Sequence, residues 1–134
     1  MSKRTVTLPE DDDIYIHTYT RAQALEDGVL VDVSTMAREA GFVWPVAVTQ
    51  AVWALIEAIP PRYEGIQSAN GRLWDVLWMA YLAIRRNAGT ASGTQLCYSF
   101  ILHHGRRTYL TLKLVVGPGD QGEPVVTIML PEED

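Results

Sequence analysis

TQLCYSFILHHGRRTYLTLKLVVGPGDQGEPVVTIML, from Thr94 to Leu130, repeats its apolar residues every second position. Leu96, Tyr98, Phe100 and Leu102 alternate with Cys97, Ser99, Ile101 and His103. Thr108, Leu110, Leu112, Leu114 and Val116 alternate in the same way with Tyr109, Thr111, Lys113 and Val115. Successive side chains of a strand point to opposite faces, so this rhythm marks extended segments with one buried side. His104-Gly105-Arg106 supplies a hairpin turn between the first two, and Gly117 to Pro124 supplies a second reversal before Val125 to Leu130. The stretch predicts a three-strand antiparallel meander.

Upstream of the meander the rhythm is helical. Leu73, Trp74, Val76, Leu77, Trp78, Met79, Tyr81, Leu82 and Ile84 crowd the segment Arg72 to Asn87, so that helix is largely buried or lies in an interface. Arg85 and Arg86 fall in its last turn, where positive charge is favoured. Pro45 suits the first position of a further helix carrying Val48, Val52, Leu55, Ile56 and Ile59, which Pro60-Pro61 would stop. Arg62 to Asn70 then reads as a loop. Ser34 is placed to cap a short helix over Thr35 to Ala40 that Gly41 ends, and Val29 to Val33 reads as a strand. Thr20 and Gln23 form a capping box for one or two helical turns ending at Gly28. Ile14 to Ile16 begins another short strand. Residues 1–13 read as a mobile acidic arm and 14–134 as one domain. The expected class is α+β, with helices packed on one face of a small, mainly antiparallel sheet.

A chain of 134 residues with 48% hydrophobic and 20% charged residues supports one folded core. Its single cysteine, Cys97, excludes an internal disulfide or a Cys-rich zinc site, and mid-strand placement predicts a small buried hydrophobe. No apolar run reaches membrane-spanning length and no signal sequence is visible, so a cytoplasmic, non-membrane protein is expected. The net charge of −5 is concentrated at Glu10 to Asp13 and Glu132 to Asp134, which read as solvated ends. Acidity argues against direct nucleic-acid binding. It is also too weak for whole-surface DNA mimicry: a domain roughly 36 Å across would face about 21 phosphates.

The residue types that carry chemistry are sparse. His103 and His104 point to opposite faces if extended, so with His17 they form no metal motif, and no metal site or cofactor is predicted. Cys97 lacks a neighbouring base, and no nucleophile elbow occurs, so no catalytic residue is assigned. The loop GPGDQGEP is followed by a strand and contains Asp120 and Glu123 where a phosphate loop would have lysine. Those carboxylates could serve a small enzyme, as could Asp75. A glycine-shaped hairpin loop is the simpler reading. Asp75, one turn after Arg72, suits an ion pair near a helix start. Arg72, Trp74, Asp75 and Trp78 together also suit a recognition patch, because aromatics and arginine dominate interface hot spots. Trp74 and Trp78, four residues apart, are expected to pack in the core or across a homodimer, while Trp44 and Trp53 support the helix after Pro45.

Three stretches together resemble a known group. They are TYTRAQALEDGVLVDVSTMAREAGFVWPVAVTQAVW (Thr18 to Trp53), GRLWDVLWMAYLAIRRN (Gly71 to Asn87) and GPGDQGEPVVTIMLPEED (Gly117 to Asp134). The chain resembles a family of small uncharacterised proteins encoded on bacterial plasmids and integrative conjugative elements. That resemblance implies a mobile-element setting, in which genes that blunt host defences cluster, and it brings no functional residues with it.

The expected function is therefore a non-enzymatic inhibitor of the anti-CRISPR or anti-restriction type. It would bind a host defence or nucleic-acid-handling complex and block it sterically. The expected partner-binding residues are Asp11, Asp12, Asp13, Asp120 and Glu123, as segments the fold does not need, with Arg72, Trp74, Asp75 and Trp78 beside them. Two alternatives stand next to this: a carboxylate-dependent enzyme, and a nucleic-acid-binding factor for plasmid maintenance or transfer.

Overall fold

A computed structural model of the chain describes residues 19–59, 65, 68–87, 93–103 and 107–134, the side chains of His103, Arg107 and Thr108 excepted. The acidic arm with Asp11, Asp12 and Asp13, the Ile14 to Ile16 segment, Pro60-Pro61 and the His104 to Arg106 turn lie outside the described residues. In chain order the elements are α1 (Arg21–Glu26), β1 (Leu30–Asp32), α2 (Ser34–Ala40), β2 (Val46–Thr49), α3 (Gln50–Glu57), α4 (Ala69–Arg86), β3 (Gln95–His103), β4 (Arg107–Pro118) and β5 (Pro124–Met129). This is an α+β fold.

The five strands form one sheet in the order β1-β2-β5-β4-β3. The meander is present as expected: β3 pairs antiparallel with β4, and β4 with β5. Two further strands extend it, β2 running parallel to β5 and β1 antiparallel to β2. One face is a continuous apolar layer. Tyr98, Phe100, Leu102, Leu112, Leu114, Val126, Ile128, Val46 and Val48 are buried there with α2, α3 and α4. Val76, Leu77 and Ala80 of α4 have no exposed surface, which places that helix at the centre of the core. The buried Tyr98 hydroxyl donates to the Val76 carbonyl at 3.2 Å, fixing α4 over β3.

Helix α1 belongs to the opposite face. Arg21 Nη1 donates to Thr127 Oγ1 at 2.8 Å, and Thr127 alternates with the core residues Val126 and Ile128. Thr20 and Gln23 do form the reciprocal capping box at its start.

Several expectations are corrected by tertiary contacts. Pro45 does not open a helix; it precedes strand β2, and its carbonyl accepts from Val126 N–H at 2.9 Å. Val46 to Thr49 is buried at every position and rich in branched residues, so pairing with β5 outweighs helical spacing. The helix begins at Gln50 instead, with Thr49 as its cap. Ser34 is the first residue of α2 and not its cap. Its hydroxyl accepts from Val46 N–H, and Asp32 Oδ1 takes the Ser34 N–H and O–H. Helix α4 starts three residues before Arg72, at Ala69, because Ser68 Oγ accepts from Gly71 N–H and caps it. Trp53 packs against the core as expected, but Trp44 is 43% exposed on the loop before β2. Cys97 is exposed, on the sheet face that α4 leaves uncovered. Glu133 is not part of a solvated tail. Its carboxylate accepts from Thr49 Oγ1 and Leu130 N–H, each at 2.8 Å, and its carbonyl accepts from Lys113.

Candidate protein-binding surface

Helix α4 turns one side to the core and another partly to water. Residues three and four apart on a helix are neighbours, and here that spacing aligns aromatic rings. Trp74 and Trp78 stack with centroids 6.0 Å apart and planes 7° from parallel. Trp78 stacks in turn on Tyr81 at 5.7 Å. Arg85 closes the row: Nη1 donates to Tyr81 Oη at 2.9 Å, and its guanidinium lies 5.8 Å from the Tyr81 ring centre. Trp78 remains 39% exposed at the middle of this ladder.

The ladder continues onto the loop between α2 and β2. Phe42 meets Tyr81 edge to face at 6.1 Å. The close approach requires Gly41, whose φ is +122° and where a Cβ would stand 2.6 Å from the Tyr81 ring. Beyond Phe42, Val43 is 85% exposed, next to the exposed Trp44. Between this loop, the end of α4 and the start of β3 lies a groove of about 340 Å³, lined by Phe42, Trp44, Ile84, Leu96, Leu114 and Val116 among others. An apolar strip thus runs from Trp74 to a groove of side-chain dimensions.

The remaining expected site residues divide between structural tasks. Arg72 is 4% exposed, with Nε donating to the Ile56 carbonyl at 2.9 Å and Nη2 to the Leu55 carbonyl at 2.7 Å. It ties α4 to the C-terminal end of α3, where helical donors run short and Leu55 otherwise accepts only a long bond from Ala58 N–H at 3.4 Å. Burial lowers its pKa, and the charge of Asp75 opposes that shift, as expected for neighbours one turn apart. Arg72 therefore stands behind the surface and not on it.

Asp120 and Glu123 lie at the β4–β5 turn, beside α1. The Asp120 carboxylate accepts from Arg21 N–H at 2.8 Å and Ala22 N–H at 3.0 Å, satisfying two donors of the first turn of α1. Those backbone bonds hold its carboxyl below the usual carboxylate range. Glu123 closes its own turn, its Oε1 accepting from Gln121 N–H at 2.8 Å. The expectation that the fold does not need this loop is corrected: Asp120 anchors a helix. The α1 guanidinium that accompanies it, Arg21, was not singled out by sequence reasoning. Among the described residues no three His, Cys, Asp or Glu side chains converge as a metal-binding group.

Of the expected residues that lie among those described, only Trp74 and Trp78 are brought together on an accessible apolar surface. Tyr81, Arg85 and the Phe42 to Trp44 loop complete it. A signal for that loop existed in Gly41-Phe-Val-Trp-Pro45, an apolar triplet held between two turn formers.

The architecture is that of a small α+β domain with an aromatic surface. Residues 8–134 match the family described as Family of unknown function (DUF6573), and the chain belongs to that family. Neither a curated protein nor a solved structure matches it. No helix among the described residues is long and apolar enough to cross a membrane.

Proposed function

We propose that the protein works by binding another protein through the Trp74–Trp78–Tyr81–Arg85 ladder and the groove beside it. The observation that carries this reading is the exposure of Val43, Trp44 and Trp78 in one apolar strip. Large exposed apolar patches mark interaction sites, and aromatics with arginine supply most binding energy in known interfaces. The partner that fits offers an apolar side chain to the groove and a carboxylate to Arg85.

The narrower reading is an inhibitor carried by a mobile genetic element that blocks a host defence complex. The resemblance to plasmid-borne proteins supports it, and an acidic net charge of −5 favours a protein over a nucleic-acid partner. In this reading Asp11, Asp12 and Asp13 steer the encounter while the aromatic strip holds the complex. The test is capture from a bacterial host lysate by the wild-type protein and by Trp78→Ala, with bound proteins identified by mass spectrometry. Subunits of one defence complex on the wild type, and their loss on a folded Trp78→Ala, are expected. Equal capture by both would remove the ladder from the interface, and salt-sensitive DNA retention with no protein would favour the nucleic-acid alternative.

A further inference from the structure

The two edges of the sheet are built differently. Strand β1, at one edge, has only three residues and carries the charge of Asp32. Strand β3, at the other, has nine residues, QLCYSFILH, with no Lys, Arg, Asp, Glu or Pro. It pairs with β4 through nine consecutive residues, Gln95↔Val115 to His103↔Arg107, without a bulge. Short length, charge, proline and bulges are the devices that stop an edge from recruiting another strand. Edge β1 has two of them. Edge β3 has none.

The direction of the free backbone groups follows from one bond. The Thr94 carbonyl accepts from Val116 N–H at 2.8 Å, so the even-numbered residues of β3 face β4. In an antiparallel ladder the N–H and C=O of one residue point the same way and alternate along the strand. Gln95, Cys97, Ser99, Ile101 and His103 therefore aim theirs at the free edge, and no backbone group among the described residues meets them.

We infer that β3 is a homodimerisation edge, pairing antiparallel with β3 of a second copy to make a continuous ten-stranded sheet. The strand is self-complementary about Ser99. A two-fold axis there gives full nine-residue overlap and sets edge-facing residues opposite one another, Cys97 to Ile101, Ser99 to itself and Gln95 to His103. On the core face the same axis sets Tyr98 opposite Phe100, both buried and already stacked on each other within one copy. Core faces of the two copies then lie on one side of the joined sheet, and no charged side chain from Gln95 to Leu102 meets its like. Isologous pairing of this kind is the commonest way for identical chains to close. The dimer edge meets the proposed partner site only where Gln95 and Leu96 line the groove. The Trp74–Trp78–Tyr81 ladder lies on α4, so Trp78→Ala tests that reading and the edge variants test this one.

The measurement is mass by light scattering after gel filtration, over a concentration series of the full chain. A dimer is expected for the wild type. Ser99→Pro deletes an edge donor and leaves the backbone bonds to β4 in place, losing only the Ser99–Thr111 hydroxyl bond at 2.8 Å. Cys97→Lys brings charge to the edge with that bond intact. Each is expected to raise the dimer dissociation constant at least about tenfold. Unchanged circular dichroism would show the variants folded. Register is read by disulfide trapping: Ile101→Cys, with the natural Cys97 opposite, should crosslink under copper–phenanthroline oxidation. The wild type, whose two Cys97 residues stand about 13 Å apart in this register, should not. A wild type that stays monomeric at every concentration overturns the proposal. So does a dimer that is indifferent to both edge variants, or one that traps through Cys97 alone.

Discussion

The Arg72 guanidinium holds the Leu55 and Ile56 carbonyls at the end of α3, inside the protein. Replacing it with Met keeps most of the apolar stem and removes every donor. Arg72→Met should lower unfolding free energy by about 1–3 kcal/mol in urea, the cost of taking a charged donor from the buried Ile56 carbonyl and of leaving Leu55 only its bond from Ala58 N–H. A loss below about half a kilocalorie would make the two bonds structurally idle. Asp120 makes a pH-dependent contribution. Its pKa is lowered in the fold, so the carboxylate form stabilises above the unfolded value, and that stability disappears as pH falls through the lowered folded value. Thermal melting should therefore show Asp120→Ala less stable than wild type at neutral pH. The difference should shrink on acidification below about pH 4, where the wild type loses the same contribution. A constant difference down to acid pH would remove the carboxylate charge from the account. Both roles were partly legible: an acid in a turn and an arginine at a helix start were visible, but their backbone partners lie 98 and 16 residues away.

Helix α4 is the element on which the rest depends. Leu77 has no exposed surface and faces a core shared with Leu112 and Leu114, so Leu77→Ala should cost about 2–5 kcal/mol in chemical denaturation. A change under about half a kilocalorie would contradict its central position. Gly41 is the second test at this scale. Gly41→Ala adds a Cβ that overlaps the Tyr81 ring and forces a positive φ on alanine, for an expected loss of about 1–3 kcal/mol. Gly41→Ala/Tyr81→Ala should recover the steric share of that loss and retain the backbone share. Full additivity of the two single losses would deny the contact. The meander and α4 were readable because period two and period 3.6 persist long enough to decide. Strand β2 was not. Four buried residues running into a helix leave Val48, Val52 and Ile56 at helical spacing, and periodicity alone does not separate a short buried strand from a helix turn. The parallel partner that settles it, β5, lies some 80 residues further on.

At the scale of the whole molecule the sheet divides structure from surface. Its α1 side is consolidated by Arg21, Asp120 and Glu133. Its helix-covered side ends in a strip of rings open to water. The face of Trp74 and Trp78 was legible from their four-residue spacing, but its junction with Phe42 to Trp44 needed the α2–α4 packing that brings Gly41 onto Tyr81. The strip explains why large apolar side chains stand exposed on a domain that buries so many others. Hydroxyl-radical footprinting of the protein, alone and with a component recovered in the lysate capture proposed above, tests that explanation most directly. Bound partner should reduce oxidation of Trp78, Trp44 and Val43 several-fold while Tyr109, 77% exposed on the far face of the sheet, keeps its free rate. Protection confined to Tyr109 or to the Asp120 turn, with Trp78 and Trp44 oxidised as before, would contradict it.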